Sequence, residues 1–340
     1  MDLTNITAIK SLCKQYGLYP SREQGQNFLI NRDVLDDMVV AADLKKDDII
    51  LEVGPGFGVL TLELAKKVNK VIAIEQDKIL INALQEDLEK ESIKNVEIIE
   101  GNVLRILSNS HSERSEESQR KRSFAEFILS EANVLRMTLN ENYRIVSNLP
   151  YQITSHFLRQ FLEAESKPQD MTIMVQKEVA ERICAKPGDM SLLAVSVQFY
   201  GEPKIVRNVL KNCFWPEPKV DSAILKIALK TKGEITRILS ANVIASGAKQ
   251  SPEIAAPRKA GLAMTEVDFF KIVRNGFLHR RQKLVNNLSN AFRLNKKNLE
   301  LTMKGMGISE NARAQELSIE QWIGLTKEIP NLMSEKSRLT

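Results

Sequence analysis

Along the first two thirds of the chain, short apolar runs alternate with segments whose apolar residues recur at helical spacing. Ile49-Ile50-Leu51-Glu52-Val53 is an apolar run that stops at Gly54, and it reads as a buried strand. Residues 71–74, 96–99, 144–148 and 172–175 repeat that pattern. Between these runs, 59–67 and 155–164 predict helices, and 78–90 sets Leu80, Ala83, Leu84 and Leu88 on one helical face. Strands separated by helices in this order predict an α/β domain with a mostly parallel sheet covered on both faces.

Two stretches interrupt the rhythm. Residues 108–123 (SNSHSERSEESQRKRS) are polar, and their charges nearly cancel, so they read as an insert on the surface, with an RNA-binding arm as the alternative. Residues 245–261 (ASGAKQSPEIAAPRKAG) have the composition of a linker. Beyond them, 266–329 predicts only helices. The expected organisation is therefore an α/β domain over 1–231 with a polar insert near 108–139. A low-complexity segment over 232–265 follows, and then a helical domain over 266–340.

Composition changes this picture in one place. Lys and Arg number 48 against 43 Asp and Glu, a net charge of only +5, and 43% of the residues are hydrophobic, enough for a full core. Yet 267–304 holds nine basic residues (Lys271, Arg274, Arg280, Arg281, Lys283, Arg293, Lys296, Lys297, Lys304) against Asp268 and Glu300, a surplus of 9 − 2 = +7. Such a concentration is either a solvated helix face or a phosphate-binding surface. Cys13, Cys184 and Cys213 are scattered, as are His111, His156 and His279, so neither a disulfide framework nor a metal site is expected. Without a long apolar stretch, no leader or membrane span is expected either, and the reading is of a cytoplasmic, metal-free monomer.

Candidate chemistry begins at Glu52-Val53-Gly54-Pro55-Gly56-Phe57-Gly58, between a predicted strand and a predicted helix. Glycines there let the backbone turn tightly and approach a ligand. Glu75, 21 residues after Gly54, ends the next strand, where a carboxylate can accept hydrogen bonds from both hydroxyls of a ribose. A dinucleotide site needs G-x-G-x-x-G, whereas this chain has G-x-G-x-G with an acidic residue two positions ahead. That variant favours S-adenosylmethionine, which has no pyrophosphate to cradle.

Asn148-Leu149-Pro150-Tyr151 ends a strand and is the most specific motif in the chain. An exocyclic aromatic amine is a poor nucleophile because its lone pair is delocalised into the ring. Acceptors aimed at its hydrogens favour a pyramidal nitrogen and offset the developing positive charge. The Asn148 side-chain oxygen and the Leu149 carbonyl can be those acceptors. Pro150 restricts Leu149 to an extended conformation, and Tyr151 offers a stacking face. A sulfonium leaving group needs no strong general base, so the protein contributes orientation and preorganised dipoles. On its own the motif is also compatible with a strand-ending turn and a core tyrosine.

Taken together, these residues resemble the ribosomal RNA adenine dimethyltransferase family, and within it the bacterial small-subunit enzymes. Gly25-Gln26-Asn27-Phe28-Leu29 is similar to the family's N-terminal segment, and Gln176 to Arg182 to the segment after its fifth strand. Phe214-Trp215-Pro216-Glu217-Pro218-Lys219-Val220-Asp221-Ser222-Ala223 is similar to the loop that closes the target-base site. The stretch 277–288 is similar to the family's basic helix, and Gly305-Met306-Gly307-Ile308, Arg313 and Leu317-Ser318 to its last helices. The likeness covers 21–107, 140–231 and 266–329, leaving both low-complexity stretches outside it.

The resemblance implies a Rossmann-like seven-stranded class I methyltransferase sheet with a small all-helical C-terminal domain. It implies that Asn27, Leu29, Gly54, Gly56, Glu75, Asn102 and Asn148 hold S-adenosylmethionine. Asn148, Leu149, Pro150 and Tyr151 would hold the adenine, with Phe214 on its other face, and Lys219, Arg280, Arg281 and Lys283 would hold RNA. The implied reaction dimethylates two adjacent adenosines near the 3′ end of small-subunit rRNA, on an immature 30S particle during subunit biogenesis. One departure concerns Asn102, where the family usually has Asp. It should weaken cofactor binding by about 1 kcal/mol through loss of a charge-assisted hydrogen bond. The alternatives are a large-subunit rRNA dimethyltransferase, against which 214–223 and 305–308 argue, and an assembly or nucleic-acid-binding factor with little turnover.

Overall fold

The computed structural model describes residues 2–20, 25–109, 142–164, 166–240 and 265–336. The chain forms two compact units, Met1–Glu181 with Gly201–Leu229, and Arg182–Tyr200 with Lys230–Thr340. The first unit contains α1 (Ile6–Tyr16), β1 (Phe28–Leu29), α2 (Arg32–Ala42), β2 (Ile49–Val53), α3 (Val59–Ala65), β3 (Lys70–Glu75) and α4 (Lys78–Lys90). It continues through β4 (Val96–Glu100), α5 (Val103–Asn109), β5 (Tyr143–Asn148), α6 (Thr154–Glu163), β6 (Asp170–Gln176) and the start of α7 (Lys177–Ile183). It is completed by β7 (Gly201–Val209), β8 (Phe214–Trp215) and β9 (Ser222–Leu229).

Seven strands form one sheet in the order β4-β3-β2-β5-β6-β9-β7. β4, β3, β2, β5 and β6 are parallel, while β9 is antiparallel to both β6 and β7. This is the expected seven-stranded, mostly parallel α/β sheet. The apolar runs read from the sequence are its central strands: every residue of β2 is buried, and every residue of β3 after Lys70. Such unbroken runs belong to strands covered on both faces.

The strand order reverses at β2, whose two neighbours are β3 and β5. Such a switch point opens a crevice outside the C-terminal ends of the strands beside it. The ladder between β2 and β5 ends at the pairing of Leu51 with Ile145. Beyond it the Ser147 hydroxyl takes over, donating to the Val53 carbonyl at 2.7 Å and accepting from the Val53 N–H at 3.3 Å. At the opposite end of β5, buried Arg144 pairs with Asp48 at 2.6 Å and Asp170 at 2.7 Å and donates to the carbonyl of Asp43 at 2.9 Å. Burial pulls its guanidinium down, but the two carboxylates outweigh it and hold the pKa above the ordinary value.

β1 and β8 form a separate antiparallel pair, Phe28 opposite Trp215 and Leu29 opposite Phe214. Two residues per strand are too few to show a period, so the sequence pattern gives no sign of this pair. α1 and α2 are likewise additions to the predicted elements, with Asn5 and Asn31 accepting from backbone N–H groups as their N-caps.

The second unit departs from the expected boundaries in two ways. Arg182–Tyr200, which a boundary at 231 leaves in the first domain, belongs to this helical unit. Its helix α8 (Leu192–Tyr200) buries Ala194, Val195, Val197, Phe199 and Tyr200, too many for a single amphipathic stripe. Phe199 stacks on Phe269 at 4.1 Å, and the Tyr200 hydroxyl donates to Glu266 at 2.8 Å. Residues 232–240, expected as linker, instead form α9 (Lys232–Ser240), because Ile235 and Leu239 recur one turn apart and are buried. The unit also contains α10 (Glu266–Gly276), α11 (Leu284–Phe292), α12 (Lys296–Gly305) and α13 (Ile319–Lys336), around a fully buried Trp322. The rest of the two inserts, 110–141 and 241–264, lies outside the described residues. No helix among the described residues is long and apolar enough to cross a membrane.

Candidate active site

The crevice at the switch point is an open cleft of about 840 Å³. Its walls come from 25–29, Glu52, 54–57, Glu75 with Gln76, and 148–151. It therefore collects Asn27, Leu29, Gly54, Gly56, Glu75, Asn148, Leu149, Pro150 and Tyr151, all nine of the sequence candidates drawn from those segments.

Local sequence explains why they meet. Gly54, Gly56 and Gly58 have φ of 68°, 60° and 87°, values that other residues rarely adopt. A side chain at Gly56 would stand 3.2 Å from the Phe28 ring, so the loop passes close beneath β1. One at Gly54 would stand 3.6 Å from Pro150, which is how closely the glycine loop and the Asn148–Tyr151 motif approach. The register gives the same answer: Leu51 pairs with Ile145, so three residues on in each strand Gly54 lies abreast of Asn148.

Glu75 ends β3 with its carboxylate fastened to the loop. Its Oε2 accepts from Gly56 N–H at 3.3 Å, and its Oε1 from Gln76 N–H at 2.8 Å and Asp77 N–H at 3.1 Å. Burial raises its pKa, against the pull of those three donors. An ionised carboxylate offers about four acceptor positions, so Oε2 keeps capacity for a hydroxyl in the cleft.

Glu52 was seen in the sequence only as an acidic position ahead of the glycines. In the structure it lines the cleft at 1% exposure, and its Oε2 meets no donor among the described residues. Desolvation, with the nearby charge of Glu75, pushes its carboxyl up to about 8. A buried carboxyl whose Oε2 has no donor among the described residues, facing a cleft, fits a ligand that carries positive charge. Gln26 and Gln76 are also cleft residues that the motifs did not single out. Gln26 Nε2 donates to Asp77 at 3.0 Å, tying the N-terminal segment to the end of β3.

At the reaction motif, Asn148 Nδ2 faces the carbonyl of Asn27 at 3.5 Å, which leaves Oδ1 as the end able to accept. Leu149 is buried, its N–H donating to the Met174 carbonyl at 3.2 Å. Pro150 sits at φ −56° and ψ 129° and opens a single 3₁₀ turn. The Tyr151 hydroxyl is 2.7 Å from Ser222 Oγ, so the ring is anchored at its far end, and burial raises its pKa.

Two expectations, for Phe214 and Asn102, meet a different geometry. Phe214 is absent from the cleft wall. It is 2% exposed and packs with Leu29, Val34 and Ile224, because its pairing with Leu29 turns it into the core. Asn102 is off the wall as well: its Oδ1 accepts from Leu104 N–H at 3.0 Å at the start of α5, and its Nδ2 donates to Gln76 Oε1 at 3.2 Å. It reaches the cleft only through Gln76. Lys219 is exposed on the turn after β8 and does not line the cleft. Arg280, Arg281 and Lys283 lie together, exposed, in the second unit, on the turn between α10 and α11. Cys213 is half-buried against the core, and His156 and His279 are exposed. Among the described residues no group of His, Cys, Asp and Glu is placed to hold a metal ion.

Comparison with known proteins adds the following. A family model described as ribosomal RNA adenine dimethylase matches residues 21–236. A ribosomal RNA small subunit methyltransferase A of Dehalococcoides mccartyi is 39% identical over 92% of this chain and 89% of its own. The protein of that name from Natranaerobius thermophilus is 31% identical over 97% of this chain and 98% of its own. Among solved structures, a dimethyladenosine transferase from Plasmodium falciparum superposes with a TM-score of 0.63 at 22% identity, covering 88% of this chain and 96% of that one. The 23S rRNA methyltransferase ErmE gives 0.59 at 23% identity, covering 89% of this chain and all of that one. At these identities the two structures speak for the fold.

Proposed function

Because the chain belongs to the ribosomal RNA adenine dimethylase family, we propose that it uses S-adenosylmethionine to dimethylate the amino groups of two adjacent adenosines near the 3′ end of small-subunit rRNA. The observation that carries this reading is the shared cleft: the glycine loop after β2 and the Asn148–Tyr151 motif after β5 line one cavity.

The residues present fit the cofactor. When bound, it supplies an electrophilic methyl group on a cationic sulfur that leaves as a neutral thioether. The glycine loop gives it backbone at close range, and Glu75 keeps an acceptor for ribose hydroxyls. Glu52 offers a buried carboxyl that its cationic end would hold ionised. Asn102 acts by positioning Gln76.

The chain's part in the transfer is orientation. Asn148 Oδ1 and the Leu149 carbonyl accept from the amino hydrogens of the target adenine and hold its nitrogen pyramidal, with the lone pair directed at the methyl group. Those acceptors are fixed before the substrate arrives, which is where preorganised dipoles gain over water. Tyr151, anchored by Ser222, provides the stacking face. With Phe214 in the core, we assign no stacking to it. The proton displaced by the new N–C bond passes to solvent, since no residue at the motif is a strong base.

The large-subunit alternative draws on likeness to ErmE, which at 23% identity supports only a common fold. The test is incubation of small and large subunits lacking the modification with methyl-labelled cofactor, followed by mass mapping of each RNA, with particle binding measured in parallel. Label in two adjacent adenosines near the 3′ end supports the reading. Label only in large-subunit RNA, or tight binding without incorporation, contradicts it.

A further inference from the structure

The second unit has a cleft of its own, about 580 Å³, with Arg182, Arg280 and Asp189 at its rim and Phe277, Met190 and Ala314 as an apolar floor. The floor residues are buried and the rim residues exposed. No ion pair links Asp189 to either arginine, and neither guanidinium is engaged by another described residue.

We propose that this cleft binds one phosphodiester of the RNA together with the neighbouring ribose 2′-hydroxyl, and so favours RNA over DNA. The inference rests on the reading that the substrate is RNA. Two cations and one anion leave the rim with a formal charge of +1, which matches the single charge of a phosphodiester. Arginine forks suit phosphate oxygens. A carboxylate beside them would repel the phosphate unless it faced a donor, and the 2′-hydroxyl is the donor that RNA has and DNA lacks. The floor beneath excludes water and strengthens both interactions.

Both arms of the rim are set in place without a ligand. On one side, buried Asn287 donates from Nδ2 to the carbonyls of Gly276 at 2.7 Å and His279 at 3.2 Å, which fixes the turn just ahead of Arg280. On the other, Gly188 and Met190 N–H both donate to the Gln315 carbonyl, at 2.9 and 3.1 Å, which fixes the loop carrying Asp189. Little ordering entropy is then left for binding to overcome.

The experiment measures affinity of the full chain for a short RNA helix and for DNA of the same sequence, across a range of salt. Arg182→Ala, with Arg280→Ala as a second variant, is expected to weaken both ligands about five- to tenfold. It should also lower the slope of log affinity against log salt by about 0.9, the value of one phosphate contact. Asp189→Ala is expected to cut the RNA-over-DNA preference at least about threefold without lowering the slope. Lys232→Ala removes an equal charge from the same unit, outside the cleft. A slope unchanged in the arginine variants, or lowered no more than by Lys232→Ala, overturns the proposal, as does an unaltered preference in Asp189→Ala. Loss of binding to small-subunit particles with normal binding to protein-free RNA would assign the cleft to a protein and also overturn it. Methyl incorporation by the unaltered protein separates these outcomes from failure of the functional reading, which would abolish incorporation itself.

Discussion

Glu52 is a cleft residue whose charge the fold constrains. Its carboxyl is raised from an ordinary 4.5 to about 8 by burial, so the unliganded protein loses stability as pH rises across that interval. A cation bound in the cleft favours the ionised form, and cofactor binding near pH 7 should therefore expel most of a proton. Affinity is expected to climb about tenfold per pH unit below 8 and to level off above it. Calorimetry at pH 7 in buffers of different ionisation enthalpy measures the proton directly. In Glu52→Gln the pH dependence should flatten, whereas a pH-independent affinity in the unaltered protein would remove Glu52 from the site. At this scale the sequence was legible where a motif fixes a backbone conformation. Gly54, Gly56 and Asn148–Tyr151 all proved to be cleft residues. It was not legible where the role depends on what surrounds a side chain. The unpartnered oxygen of Glu52 and the burial of Phe214 both arise from chain segments far away in sequence.

Among the elements, the junction of β2 with β5 matters most, since each strand delivers one half of the cleft. Beyond Leu51 and Ile145 it depends on the Ser147 hydroxyl, which serves both the N–H and the carbonyl of Val53. Ser147→Ala leaves those two buried groups unsatisfied and should cost about 1–3 kcal/mol. Thermal unfolding should show a lower midpoint, with transfer impaired beyond the stability loss because Gly54 and Asn148 are no longer held abreast. An unchanged midpoint would mean that the backbone ladder alone suffices. The strands on either side of this junction were evident from composition, because doubly covered strands are almost uninterrupted apolar runs. β7 and β9 were not. β7 is the outer strand of the sheet and, between its buried ends, alternates half-buried with exposed positions, a weaker signal. α8 and α9 escaped for another reason: the first lies within a stretch expected to belong to the sheet domain, and the second at the edge of a low-complexity segment.

For the molecule as a whole, charge is the property with the clearest consequence. The surplus of +7 over 267–304 exceeds the +5 of the entire chain, so attraction for RNA is expected to centre on the helical unit. Arg281→Ala combined with Lys283→Ala should reduce the salt slope of RNA binding by about 1.8 while cofactor affinity stays within twofold. An unaltered slope would move the RNA surface to other residues. The division into a sheet unit and a helical unit was readable from the change of period along the chain, but the membership of Arg182–Tyr200 was not, since only the folded chain brings Phe199 against Phe269.

All of this depends on Asn148 holding the target amine beside the methyl donor. The most direct measurement is the single-turnover rate of methyl transfer by Asn148→Ala on unmethylated small subunits, with particle affinity determined in parallel. The expected result is a rate lower by about 10²–10³ and an affinity unchanged within twofold. Transfer at the unaltered rate would contradict the account.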